Sequence, residues 1–316
     1  MERSENMTNI EDIEYITYQV TDLGVLERFL VDFGLTTGVR TESSLYMRVA
    51  SDSHHVYIGE LGDDNRFICA ALRARSMADL ELLARQGFAS DVEDINAPGG
   101  GKRVRLAGPD GHRIDVVYGM ERLKKLPVRK PLLHNYGTKK VRLNASQRPP
   151  KGSPDILRLG HFTLTVRNAV AAAEWFCKYL NMRPSDYLCV PNDRSKIVGV
   201  FLHFDHGKEY VDHHSLLVVE SPIIHIHHVS YEVQDIDAVH SGHNHLLEKG
   251  YKLDVGVGRH MAGSQVFDYW WDPFGHRIEH YADGDIVNSD REAGYIEADP
   301  VGVTQWGPIP PDTFFN

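Results

Sequence analysis

Cysteine is scarce in this chain, and so are long apolar runs and surplus basic charge. The three cysteines in 316 residues, Cys69, Cys177 and Cys189, form neither a disulfide framework nor a CxxC zinc pattern. So sparse and odd a set fits a reducing compartment. No stretch approaches the roughly 18 consecutive apolar residues that a membrane helix requires. The opening Met1–Asn9 is polar and mixed in charge, without the apolar core of a secretory leader. The expectation is a soluble, cytoplasmic protein with no membrane partner. Aspartate and glutamate outnumber lysine and arginine, 44 to 34, for a formal charge of -10. That balance argues against a nucleic-acid partner, because phosphate binding needs a concentrated basic surface. The one basic stretch, Arg122 to Arg142, carries no aromatic ladder and reads as solvated surface.

What the chain does have is a repeat. Pro109-Asp110-Gly111-His112-Arg113-Ile114-Asp115 returns as Pro273-Phe274-Gly275-His276-Arg277-Ile278-Glu279. The openings of the two halves also correspond, Glu14–Val20 with Gly160–Val166, each alternating as a half-buried strand does. An apolar stripe at helical spacing follows each: Leu26, Phe29, Leu30 and Phe33, then Ala172, Trp175, Phe176 and Tyr179. Strands are expected at 44–49 and 55–61, answered by 197–204 and 215–219. Helices are expected over 77–86 and 236–249, each stopped by a glycine, Gly87 and Gly250.

The fold expected is α+β. It comprises two tandem modules, each of two βαβββ repeats whose strands form an open funnel-like barrel with helices outside. Residues 1–120 make the first module, 121–153 a linker with room for one short strand, and 154–285 the second module. Residues 286–316 form an extended tail, proline-rich at Gly307–Pro311.

The duplication also separates chemistry from scaffold. Aligning the copies sets Tyr15, Phe67 and Asp115 against His161, His228 and Glu279. Only the second copy then presents two imidazoles and a carboxylate. That donor set leaves coordination positions open and suits Fe(II) or Mn(II), although zinc accepts the same ligands. Histidine is abundant in the second half, so spacing alone would not single these out. His240, His243 and His245 fall on a helix that reads as surface-facing and solvated. His112 and His276 occur in both copies and read as turn residues.

The segment Gly258-Arg259-His260, with Tyr269-Trp270-Trp271-Asp272-Pro273-Phe274-Gly275-His276-Arg277-Ile278-Glu279, resembles the signature of type I extradiol ring-cleavage dioxygenases. These belong to the vicinal oxygen chelate superfamily. The likeness extends to Gly160-His161-Phe162, Asp212-His213-His214-Ser215-Leu216 and His227-His228-Val229. It implies a first module without metal and a second with Fe(II), or alternatively Mn(II), on His161, His228 and Glu279. It further implies His214 as acid/base, with His260 and Tyr269 over bound substrate and O2. The substrate implied is a catechol-type aromatic, cleaved beside its two hydroxyls to a muconic semialdehyde-type product, and the family usually forms homo-oligomers. Asp268 departs from the signature, standing where an apolar residue is usual. Two rival readings are a glyoxalase-like isomerase or epimerase and a non-enzymatic aromatic-binding protein. Pocket lining is expected from 197–204.

Overall fold

The computed structural model describes residues 8–299, 303–311 and 314. The leader-free reading of the amino terminus falls mainly on residues 1–7, outside the described residues. The first module runs β1 (Ile10–Val20), α1 (Leu23–Phe33), β2 (Thr36–Arg40), β3 (Ser44–Arg48) and β4 (Tyr57–Leu61). It then repeats as β5 (Arg66–Ala74), α2 (Met77–Ala84), β6 (Glu93–Asp94), β7 (Lys102–Ala107) and β8 (Arg113–Tyr118). The second module runs β9 (Ile156–Val166), α3 (Ala169–Leu180), β10 (Met182–Val190), β11 (Asp193–Phe204), β12 (Val211–Asp212) and β13 (Leu216–Glu220). Its second half is β14 (Ile226–Val233), α4 (Ile236–Glu248), β15 (Lys252–His260), β16 (Val266–Trp271) and β17 (Arg277–Ala282).

The first sheet has the order β2-β3-β4-β1-β5-β8-β7-β6, and the second β10-β11-β13-β9-β14-β17-β16-β15 between two added edges. Matching strands occupy matching places, so the copies share a topology as well as a sequence pattern. Among the described residues the architecture is α+β, two large curled sheets with four α-helices.

Local chemistry explains the helix ends. Asp22 accepts from the amides of Gly24 and Val25, Asn168 from Ala171, and Asp235 from Ala238, each satisfying donors that the first turn leaves free. Ser76 and Asp79 form a reciprocal capping box on α2. Helix α1 stops at Gly34 with φ 119° and α3 at Asn181 with φ 51°, both left-handed. Gly250 takes φ 77° after α4. Gly87 does not stop α2, which ends at Ala84 with right-handed Arg85 as its cap.

Two expectations need correction. Residues 121–153 contain no strand, only an isolated bridge between Arg122 and Ser53. The tail does more than wrap the surface. Its segments β18 (Ile286–Val287), β19 (Gly294–Glu297) and β20 (Thr304–Trp306) pair with β12, β10 and β15 respectively. Edge strands offer unpaired backbone groups, and the tail satisfies both edges of the second sheet.

One apolar cluster runs through both modules, including Phe29, Phe33, Leu72, Phe162, Phe176 and Trp270. Across the junction His280 Nε2 donates to the Phe33 carbonyl at 2.7 Å while its ring stacks on Phe33. His112 Nε2 donates to the Thr165 carbonyl at 2.8 Å, and the His276 ring packs at a tilt against Tyr18 with centroids 4.2 Å apart. The repeated turn histidines therefore also tie one module to the other.

Candidate metal centre

Strand register brings three side chains together. Antiparallel pairing of β9 and β14 sets His161 opposite Ser230 and Thr163 opposite His228. Parallel pairing of β14 and β17 sets Ser230 level with Glu279. Because side chains alternate along a strand, His161, His228 and Glu279 all fall on the inner face. One donor atom from each lies within 4.8 Å of the others, and all three residues are buried. Glu279 Oε2 lies 3.2 Å from His161 Nε2 and 3.5 Å from His228 Nε2, and it accepts a short hydrogen bond from Ser230 Oγ.

Burial pushes the Glu279 carboxyl up, but hydrogen bonds from His161 and His260 outweigh it and hold it well below the usual carboxylate range. Burial pushes His228 well down, reinforced by His227. A carboxylate and an uncharged imidazole are the protonation states that metal binding requires. The donor set therefore fits a divalent transition metal.

The remaining candidates surround this centre. The His214 ring centroid lies 4.3 Å from that of His161, and burial followed by the His161 imidazole pushes His214 well below the usual range. His260 Nε2 lies 2.8 Å from the Tyr269 hydroxyl and 3.7 Å from Glu279 Oε1. Tyr269 pairs with Glu279 across β16 and β17, and burial pushes its hydroxyl well up, so it stays protonated at neutral pH. His161, His214, His228, His260 and Tyr269 all line one cavity. Its wall is apolar: Leu188, Phe201, Leu217, Ile296 and Val303, with Pro310 and Phe314 of the tail. Of the strand expected to line it, 197–204, only Phe201 does so.

His213 and His214 sit between β12 and β13. His214 turns to the cavity and His213 away, toward Asp186. Asp268 points behind β16, accepting from His243 Nδ1 at 2.9 Å and Trp270 Nε1 at 2.6 Å. His243 is thus half-buried and bonded, contrary to its reading as solvated; His240 is exposed.

The first module corrects the alignment. Thr17 pairs with Cys69, as Thr163 does with His228, so the counterpart of His228 is Cys69 and not Phe67, which lies two residues away. Tyr15, Cys69 and Asp115 then occupy the three ligand places. Arg113 donates to Asp115 through Nε at 2.7 Å and Nη2 at 2.6 Å, supplying the positive charge there. The same register matches His54-His55 to His213-His214, a correspondence the sequence comparison missed. His55 is pushed down to about 3 by burial. Asp186, Ser230 and the tail residues of the wall were also missed, since none belongs to a repeated motif.

Comparison with known proteins bears on the fold and the family. Residues 158–280 match the family described as Glyoxalase/Bleomycin resistance protein/Dioxygenase superfamily. The chain is 29% identical over 309 residues to metapyrocatechase 2 of Cupriavidus necator, covering 96% of this chain and 91% of that one. It is 24% identical to metapyrocatechase of Geobacillus stearothermophilus, covering 90% and 81%. Among solved structures, homoprotocatechuate 2,3-dioxygenase of Brevibacterium fuscum superposes with TM-score 0.79 at 18% identity, covering 98% of this chain and 93% of that one. A Mn(II)-bound glyoxalase of Novosphingobium aromaticivorans gives TM-score 0.79 at 23% identity, covering 96% and 94%. At those identities the structures speak for the fold. Residues 158–280 thus carry a domain of the Glyoxalase/Bleomycin resistance protein/Dioxygenase superfamily, and over nearly its whole length the chain is similar to metapyrocatechases.

Proposed function

We propose that this protein cleaves a catechol-type ring with O2 at a single Fe(II) held by His161, His228 and Glu279. The broken bond lies beside the two hydroxyls, both oxygen atoms enter the product, and a muconic semialdehyde-type compound results. The observation that carries this reading is the convergence of three ligand atoms within 4.8 Å at a cavity that His214, His260 and Tyr269 also line. Fe(II) bound there would favour loss of a phenolic proton and bring diol and O2 side by side.

The chain's own residues supply the rest. His214, uncharged and facing the cavity, accepts a phenolic proton and can return one later, a contribution of typically about 10^2 to 10^4 in rate. His260 and Tyr269 sit as a hydrogen-bonded pair beside Glu279, ready to donate to oxygens as negative charge develops. The apolar wall of Leu188, Phe201, Leu217, Ile296 and Val303 seats the ring and keeps water out. A site that only isomerised a thiohemiacetal, or merely sequestered an aromatic, would have no use for this oxygen-facing trio.

The test is direct. Protein loaded anaerobically with Fe(II), or in parallel with Mn(II), is mixed with catechol, 3-methylcatechol or 2,3-dihydroxybiphenyl in aerated buffer. Yellow product with one O2 consumed per ring is the expected result. Metal-loaded protein that consumes no O2 with any catechol tried would sink the proposal, and the more active metal identifies the ion.

A further inference from the structure

His214 does not face the cavity alone; a buried chain of groups stands behind it. Its Nδ1 lies 3.1 Å from Nδ1 of His213, and His213 Nε2 lies 2.7 Å from Asp186 Oδ2. His213 and Asp186 are 1% and 4% exposed, so neither contact is shared with solvent. Asp186 also accepts from Arg291 Nη2 at 2.9 Å and from the Gly294 amide at 2.9 Å. A Cβ at Gly294 would lie 2.6 Å from Asp186 Oδ1, so only glycine allows that approach. We infer that Asp186 and His213 are positioning residues that fix the tautomer of His214, leaving its Nε2 bare toward the cavity.

The reasoning follows the protons. A carboxylate accepts and cannot donate, so the His213 nitrogen facing Asp186 carries the hydrogen. Arg291 and the Gly294 amide already engage that carboxylate, so a single N–H from His213 completes its contacts. With one proton on its ring, His213 presents a bare Nδ1 to His214. Two nitrogens 3.1 Å apart need a hydrogen between them, and His214 must supply it from Nδ1. Its lone pair is then on Nε2, the nitrogen not engaged with His213. When the substrate hydroxyl gives its proton to that Nε2, both His214 nitrogens carry hydrogen. Nδ1–H still points at His213, and the new positive charge lies toward Asp186. No proton needs to travel along the chain.

The duplication supplies a control within the molecule. His54 and His55 repeat the pair, with Nδ1 atoms 3.0 Å apart. Among the described residues the acidic group nearest behind them is exposed: His54 Nε2 lies 3.9 Å from Glu121, whose side chain is 64% exposed. The paired histidines belong to both copies, whereas among the described residues the buried aspartate accompanies the copy with the ligand set.

The inference rests on His214 being the acid/base of the proposed ring cleavage, and its test separates the two. Full-length, metal-loaded His213→Gln and His213→Leu are compared with the parent. A glutamine amide can donate to Asp186 and accept from His214, whereas leucine can do neither. The expected result is a His213→Leu kcat lower by about tenfold or more, with KM for catechol and metal content within twofold, and recovery of most of that loss in His213→Gln. Equal rates in both variants, or a leucine variant as fast as the parent, would overturn it. Independently of whether the leucine variant folds, 15N spectra of the metal-free parent report the tautomer, with His214 assigned through loss of its signal in His214→Gln. Protonation at Nδ1 supports the inference, and protonation at Nε2 refutes it. A parent that binds iron and cleaves no catechol would instead defeat the proposed function, leaving the tautomer to be judged by the spectra.

Discussion

The centre divides its residues into those that would hold a metal and those that would move protons. His161 and Glu279 contact each other at 3.2 Å with no solvent between them. Replacing either, by His161→Ala or Glu279→Gln, should leave protein that loses its metal on gel filtration, read by metal analysis of the eluted fraction. His214→Phe should keep the metal and lower kcat by about 10^2 to 10^4. A normal kcat in that variant would remove His214 from the mechanism. Ser230 has a quieter part: its hydroxyl bonds to Glu279 Oε2 and fixes the carboxylate's orientation. His161 Nδ1 has no such support among the described residues.

At the scale of elements, β16 shows one strand serving two faces. Tyr269 looks into the cavity, while Asp268 before it reaches back to His243 on α4 and binds helix to sheet. The hydrogen bond that His243 donates to Asp268 raises the histidine's pKa above its ordinary 6.5, and burial raises that of Asp268. Both groups therefore hold protons more tightly when folded. The stability that His243 contributes is fully present below about pH 6.5 and fades as pH rises through its raised value, whereas that of Asp268 is complete only below its own ordinary 3.8. The melting-temperature gap between the parent and His243→Leu should thus be wider at pH 6 than at pH 8; a constant gap would mean that the contact carries no charge.

Periodicity made the strands and helices of both copies legible, because each element buries one face. The ligand places of His161 and Glu279 were legible because the copies differ there. Phe67 was misplaced because the sequence has no marker for the shifts in register along β1 and β5, which place Thr17 opposite Cys69. Asp186 and the tail strands could not be read at all. Their partners lie 27 to 108 residues away, and a single carboxylate on an edge strand has no periodic signature.

At the scale of the whole molecule, one main apolar cluster joins two modules, and among the described residues the donor set for a metal is found in the second. The other keeps the topology and the histidine pair, yet sets a phenol, a thiol and an arginine-bound carboxylate where the ligands would be. Fully loaded protein should accordingly carry one transition-metal ion per chain, measured by elemental analysis against protein concentration; a stoichiometry of two would contradict the reading of Arg113 as the ion's replacement.

The tail makes the site depend on the far end of the chain. The three donors lie on β9, β14 and β17, all upstream of it. The brace behind His214 draws on Arg291 and Gly294, and the far wall on Ile296, Val303, Pro310 and Phe314. A chain clipped after residue 285 would therefore keep every donor while losing both the brace and that wall.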